Sequence, residues 1–164
     1  MREDELFSHV INVILSNEGG YSNNSNDRGG LTKFGISSRS YPDVDIANLT
    51  KEEAKNIYRR DFWDKYLYGK IGNQEIATKF FDLAVNMGHH WACVLVQRAL
   101  RASGKNVVED GDFGPKTLDA INNVDSTDLL ASLKSEAAGY YRTLAAIDKQ
   151  DKVFLKGWLN RAYS

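Results

Sequence analysis

Apolar residues recur at helical spacing in one stretch of this chain after another, and strand signals are few, so the sequence commits to packed helices. Thr50-Lys51-Glu52-Glu53 is a capping box, in which a hydroxyl and a carboxylate satisfy the open amides of a helix start. It opens a helix through Ala54, Ile57 and Tyr58 toward the aromatic cluster Phe62, Trp63 and Tyr66. The next runs from about Gln74 through Ile76, Ala77, Phe80, Phe81 and Ala84 until Gly88 stops it. Val94, Gln97 and Leu100 mark another, ending toward Gly104. Pro115 suits a first helical position, with Leu118 and Ile121 following at helical spacing. A long helix from near Ser126 holds Leu130, Leu133, Ala137, Tyr141 and Leu144 on one side, before an amphipathic segment with Phe154, Trp158 and Leu159. Only Tyr21 to Ile36 is suited to a hairpin. The expected architecture is mainly α, a helical bundle with a small β-hairpin at a cleft.

The first stripe carries the sharpest chemical signal. Phe7, Ile11, Ile14 and Glu18 share one helical face, so the face that buries hydrophobes also carries a carboxylate inward. Gly19 and Gly20 then end the helix, which leaves Glu18 in its last turn, where the negative end of the macrodipole disfavours ionisation. Burial and dipole both favour the protonated form, which is what a general acid working near neutral pH requires. The plainer reading is a helix-terminal Glu that reaches water. Beyond it lie Asn23-Asn24-Ser25-Asn26-Asp27 and Arg28-Gly29-Gly30-Leu31-Thr32, a polar loop with a second carboxylate and a hydroxyl. A glycosidase needs two carboxyl groups flanking the scissile bond, and Glu18 and Asp27 are candidates for that pair.

Glu18-Gly19-Gly20-Tyr21, Asp27, Gly29-Gly30, Thr32 and Phe34-Gly35-Ile36 together resemble the N-terminal signature of the N-acetylmuramidases of glycoside hydrolase family 108, some of whose members carry the label secretion activator. Downstream, Phe81-Asp82-Leu83-Ala84-Val85-Asn86-Met87-Gly88, Gln97, Leu100 and Asp110-Gly111-Asp112-Phe113-Gly114-Pro115-Lys116-Thr117 are similar to the predicted peptidoglycan-binding region that follows in that family. The resemblance implies an α+β lysozyme-like fold and cleavage of the β-1,4 bond between N-acetylmuramic acid and N-acetylglucosamine, with Glu18 as catalytic acid. The order Glu18, Asp27, Thr32 also resembles the Glu, Asp, Thr triad of phage lysozymes, with the Asp-to-Thr step one residue shorter. By that analogy Asp27 and Thr32 orient the attacking water; otherwise Asp27 caps a turn. Tyr21, beside Glu18, and Asn86 are the candidate substrate contacts. A lytic transglycosylase, which uses one acidic residue as acid and then base, is the runner-up; a non-catalytic peptidoglycan-binding or secretion-assisting module is the alternative from another class.

At 164 residues one compact domain is expected, with residues 1–72 as the muramidase region and 73–164 as the peptidoglycan-binding helical region. A formal net charge of -1 recruits no nucleic acid, and the expected partner is the peptidoglycan glycan strand. Met1-Arg2-Glu3-Asp4-Glu5 is unlike a secretory signal, and no stretch suits a membrane span, so cytoplasmic synthesis is expected. Action on the wall then requires a holin, a secretion machine or lysis. Cys93 lies among Val94, Leu95 and Val96 and reads as packing. No metal or other cofactor is expected. His89-His90 with Cys93 lacks a full zinc ligand pattern, and Asp110-Gly111-Asp112 lacks the closing Glu of an EF-hand. Trp63, Tyr66 and Tyr68 suit either sugar stacking or, more commonly for such clusters, the core.

Overall fold

The stripes close into helices where the sequence supplies their caps, in a computed structural model that describes residues 2–18 and 31–164. Among these residues there are seven α-helices and one two-stranded antiparallel sheet, the mainly α architecture that the periodicity predicts. The chain divides into two compact units, residues 1–70 and 71–164.

In the first unit, α1 (Glu3–Glu18) buries Leu6, Phe7, Val10, Ile11, Ile14 and Leu15. Phe7 meets Trp63 edge-on at 5.2 Å, and Trp63 stacks on Tyr68 at 5.9 Å. Trp63 and Tyr68 are fully buried, so this cluster is core and not a sugar platform. Each such side chain withdrawn from water contributes roughly 1.5–3 kcal/mol. The capping box forms as the sequence predicts: Glu53 N–H donates to Thr50 Oγ1 at 3.2 Å and Thr50 N–H to Glu53 Oε1 at 3.1 Å, opening α2 (Lys51–Tyr58). A π-helical turn, Arg59–Trp63, prolongs α2 and delivers Trp63 to the core. Short 3-10 turns lie at Ile46–Asn48 and Tyr68–Lys70.

Among the described residues, a short hairpin lies at the end of the stretch suited to one. It consists of β1 (Thr32–Lys33) and β2 (Ile36–Ser37), paired Thr32 to Ser37 and Lys33 to Ile36, and thus ends one residue past Ile36. Its two-residue loop, Phe34-Gly35, has φ of +53° and +79°, the sense that suits the right-handed twist of paired strands. Phenylalanine adopts that conformation only under constraint.

In the second unit, α3 (Gln74–Met87), α4 (His89–Ala102), α5 (Pro115–Asn123), α6 (Ser126–Ile147) and α7 (Leu155–Tyr163) follow one another, with a 3-10 segment Lys149–Phe154 before the last. Asn73 caps α3 by accepting from Ile76 N–H at 3.0 Å, Pro115 stands in the first turn of α5, and Asp125 caps α6 by accepting from Asp128 N–H at 3.0 Å. The core packs α3, α4 and α6 around Phe80, Phe81, Leu83, Leu95, Leu100, Leu129 and Leu133. One ion pair is sunk into it. Arg161 of α7 grips Asp82 of α3 through Nη2 at 2.7 Å and Nε at 3.1 Å, and buried Lys79 donates to the Arg161 carbonyl at 2.6 Å.

Candidate active site

The first unit carries the residues that the sequence marks for chemistry. Glu18 is the final residue of α1, whose buried stripe includes Phe7, Ile11 and Ile14 as predicted. The last turn of α1 itself holds no basic residue to offset the negative end of its dipole. The Glu18 side chain, Tyr21 and Asp27 lie outside the described residues.

Thr32 stands on β1, partly exposed, at the root of the hairpin. The hairpin is held at several points. Leu31 N–H donates to Ser38 Oγ at 3.2 Å, Ser38 N–H donates to the Leu31 carbonyl at 2.8 Å, and Lys33 Nζ reaches the Ala47 carbonyl at 3.3 Å. At the tip, the buried Tyr58 hydroxyl donates to the Phe34 carbonyl at 2.6 Å, a bond from α2 that holds the left-handed Phe34 in place. Left-handed phenylalanine costs on the order of 1–3 kcal/mol, and such strain persists only where surrounding contacts over-determine it.

A second carboxylate in this unit went unmarked by the sequence reading. Asp61, in the π-helical turn, accepts from Tyr41 Oη at 2.7 Å and from Arg60 at 2.7 and 3.0 Å. The hydrogen bonds from the Arg60 guanidinium lead in holding its carboxyl down at about 2, with help from Tyr41, against the opposing pull of desolvation. Asp61 is therefore a fixed anion that organises the segment after the hairpin, unsuited to donate a proton at neutral pH. Only the spacing of a tyrosine twenty residues before an Arg-Asp pair hinted at it, and that is no signal at all.

Asn86 belongs to the second unit, near the end of α3. Its side-chain amide donates to the hydroxyl of Tyr141 on α6, and Tyr141 stacks on Trp158 of α7 at 5.3 Å. Burial pushes the Tyr141 phenol up to about 12, so it stays a neutral acceptor through the physiological range. The geometry gives Asn86 a structural tie between α3 and α6.

The Asp110 to Thr117 segment folds around one glutamine. Gln97 of α4, fully buried, donates through Nε2 to Asp110 Oδ1 at 3.0 Å, to the Asp112 carbonyl at 3.2 Å and to Thr117 Oγ1 at 3.2 Å, while its Oε1 accepts from Gly111 N–H at 2.9 Å. Gly111 has φ +72°, and a Cβ there would collide with the His90 ring, so glycine is required twice over. Phe113 then packs on Phe80 at 4.9 Å, with the His89 ring alongside at 6.3 Å. The motif is thus a loop stapled to α4 ahead of α5. Cys93 is buried, and that burial together with Asp110 and Asp112 pushes its thiol up to about 12. Among the described residues, no group of three or more His, Cys, Asp or Glu side chains is placed to hold a metal ion. No helix among them is long and apolar enough to cross a membrane.

The mainly helical fold with a small two-stranded hairpin is a lysozyme-like architecture. Residues 11–88 match the glycosyl hydrolase 108 model and residues 91–163 match the model described as a predicted peptidoglycan domain. The two matched regions together span most of the chain, one similar to glycosyl hydrolase 108 and the other to a predicted peptidoglycan domain. Among solved structures it is similar to SagA of Brucella abortus, with a TM-score of 0.79 and 25% identity over 97% of this chain and 90% of that one. No curated protein matches it.

Proposed function

We propose that this chain is an N-acetylmuramidase that cleaves the β-1,4 bond between N-acetylmuramic acid and N-acetylglucosamine in peptidoglycan, with Glu18 protonating the departing glycosidic oxygen. The observation that carries the reading is the termination of α1 at Glu18, within the matched hydrolase region and at the dipole end that favours a neutral carboxyl. Asp27 and Thr32 orient the water that attacks the anomeric carbon; the hairpin bearing Thr32 has the multiple tethers that such positioning demands. Tyr21, three positions after the acid in the sequence, is the substrate contact. The protein reaches its polymer after release or export from the cytoplasm, through a holin, a secretion machine or lysis, and the predicted peptidoglycan domain keeps it on the wall.

Mass spectrometry of soluble fragments from purified peptidoglycan tests this reading. Reducing muramic acid ends are expected. Anhydromuramic ends would instead identify a lytic transglycosylase, and wall binding by folded protein without any fragments would leave a binding or secretion-assisting module.

A further inference from the structure

The second unit contains an open groove between α4 and α6, of about 540 Å³, within the roughly 300–1,000 Å³ typical of ligand sites. Leu95 and Leu144 form part of its apolar lining, and Trp91 and Tyr140 stand in it with ring centroids 6.0 Å apart at 43°. Trp91 is 45% exposed, whereas Trp63 in the other unit is wholly buried. Arg98 and Glu136 bring opposite charges to the same groove.

A glycine makes the groove more than a surface dip. Gly139 sits deep inside the 22-residue helix α6, where glycine is the least favourable residue after proline. Close helix packing is the usual reason for tolerating it, but a Cβ at Gly139 would meet nothing within 4 Å. The chain itself therefore does not need the missing side chain, and bare helical backbone lines an open groove. One turn further on, Thr143 Oγ1 donates to the Gly139 carbonyl at 2.9 Å, which leaves its oxygen able to accept from a ligand.

We propose that the α4–α6 groove is a docking subsite for the glycan strand of peptidoglycan, with an N-acetylated amino-sugar ring lying over the Gly139 backbone against Trp91 and Tyr140. The identity of the polymer rests on the function proposed above and on the match of residues 91–163, which include the entire groove lining. The chemistry selects a glycan. Aromatic faces take the C–H face of a pyranose while the indole N–H and phenol serve its hydroxyls. Arg98, whose Nε also donates to Glu109 at 3.1 Å, suits the carbonyl of the lactyl amide on muramic acid, and Glu136 suits an acetamido N–H, two groups that the same strand carries. An open groove also lets a polymer run through.

The test uses the full chain carrying Glu18→Gln, so that no bond is cut, with purified sacculi in co-sedimentation and chitotetraose in NMR titration. Gly139→Gln fills the groove with a better helix former, and Trp91→Ala removes the platform. Each is expected to weaken sacculus binding at least tenfold, Gly139→Gln with an unchanged or higher thermal midpoint, and chitotetraose is expected to shift the Trp91 and Tyr140 signals. Unchanged binding in both variants would overturn the proposal, as would a wild-type dimer that Gly139→Gln dissolves, which would assign the groove to a second copy. Failure of the parent reading is seen separately, as wild-type protein that binds sacculi through this groove yet releases no muramic acid ends.

Discussion

The two units solve the same problem, burying apolar surface among helices, with different means. Residues 71–164 use long helices with caps at their starts and lock them with buried polar staples: Asp82 to Arg161, and Gln97 to the Asp110–Thr117 loop. Residues 1–70 use one long helix and then short pieces, a two-residue-per-strand hairpin with a left-handed Phe34, a π-helical turn and two 3-10 turns. Regular helices leave little freedom to aim a side chain. Irregular backbone costs stability but sets a hydroxyl or carboxyl where a helix would not, and the candidate catalytic residues fall in that unit. The second unit spends its polar groups on rigidity.

That contrast ranks the expected effects of mutation. The largest belongs to the buried ion pair. Asp82→Ala strands the Arg161 guanidinium and should destabilise the second unit by about 3 kcal/mol, read as a lower denaturant midpoint; a loss under 1 kcal/mol would mean that the pair is no staple. Gln97→Ala comes next, at roughly 2 kcal/mol, because it orphans Gly111 N–H along with other partners. In the first unit, Tyr58→Phe removes the bond to the Phe34 carbonyl and should cost about 1 kcal/mol. Its effect on turnover of peptidoglycan should exceed its effect on stability, since the hairpin carries Thr32. Equal small effects on both would remove the hairpin from the catalytic account.

A further effect, of a different kind, is a pH dependence. Burial brings Lys79 down to about 8 from its ordinary value near 10.5, so the folded state binds fewer protons than the unfolded chain between these pH values. Stability linked to Lys79 is then fully present above pH 10.5 and is lost as the pH falls through about 8. Cys93 opposes it, since a thiol raised from 9 to about 12 loses stability as the pH climbs above 9. Comparing wild type with Lys79→Met separates the two: the variant should lack the rise in denaturant midpoint between pH 8 and 10.5. Parallel pH curves would contradict a buried, partly neutralised Lys79.

Much of the second unit was legible because its signals are local. The starts near Gln74, Pro115 and Ser126 and the stop at Gly88 were legible, while the capping side chains Asn73 and Asp125 were not singled out. The Thr50 box was legible for the same reason. The hairpin turn was not, since Phe34-Gly35 lacks the Asn-Gly or Asp-Gly pair that favours positive φ, and a hydroxyl from Tyr58, 24 residues away, holds it. Asp61 was missed because its meaning depends on Tyr41, and Trp91 because an exposed indole at helical spacing reads as core until its neighbours are placed. Glu18 was legible as a position on a buried stripe, while the distance between its carboxyl and that of Asp27 belongs to no sequence pattern.

The central claim is that Glu18 supplies the proton, and the rate of fragment release from purified peptidoglycan by Glu18→Gln tests it most directly, with the thermal midpoint measured alongside. The account predicts a folded protein whose rate falls by roughly 10²–10⁴-fold. A folded Glu18→Gln variant working within about twofold of wild type would contradict it.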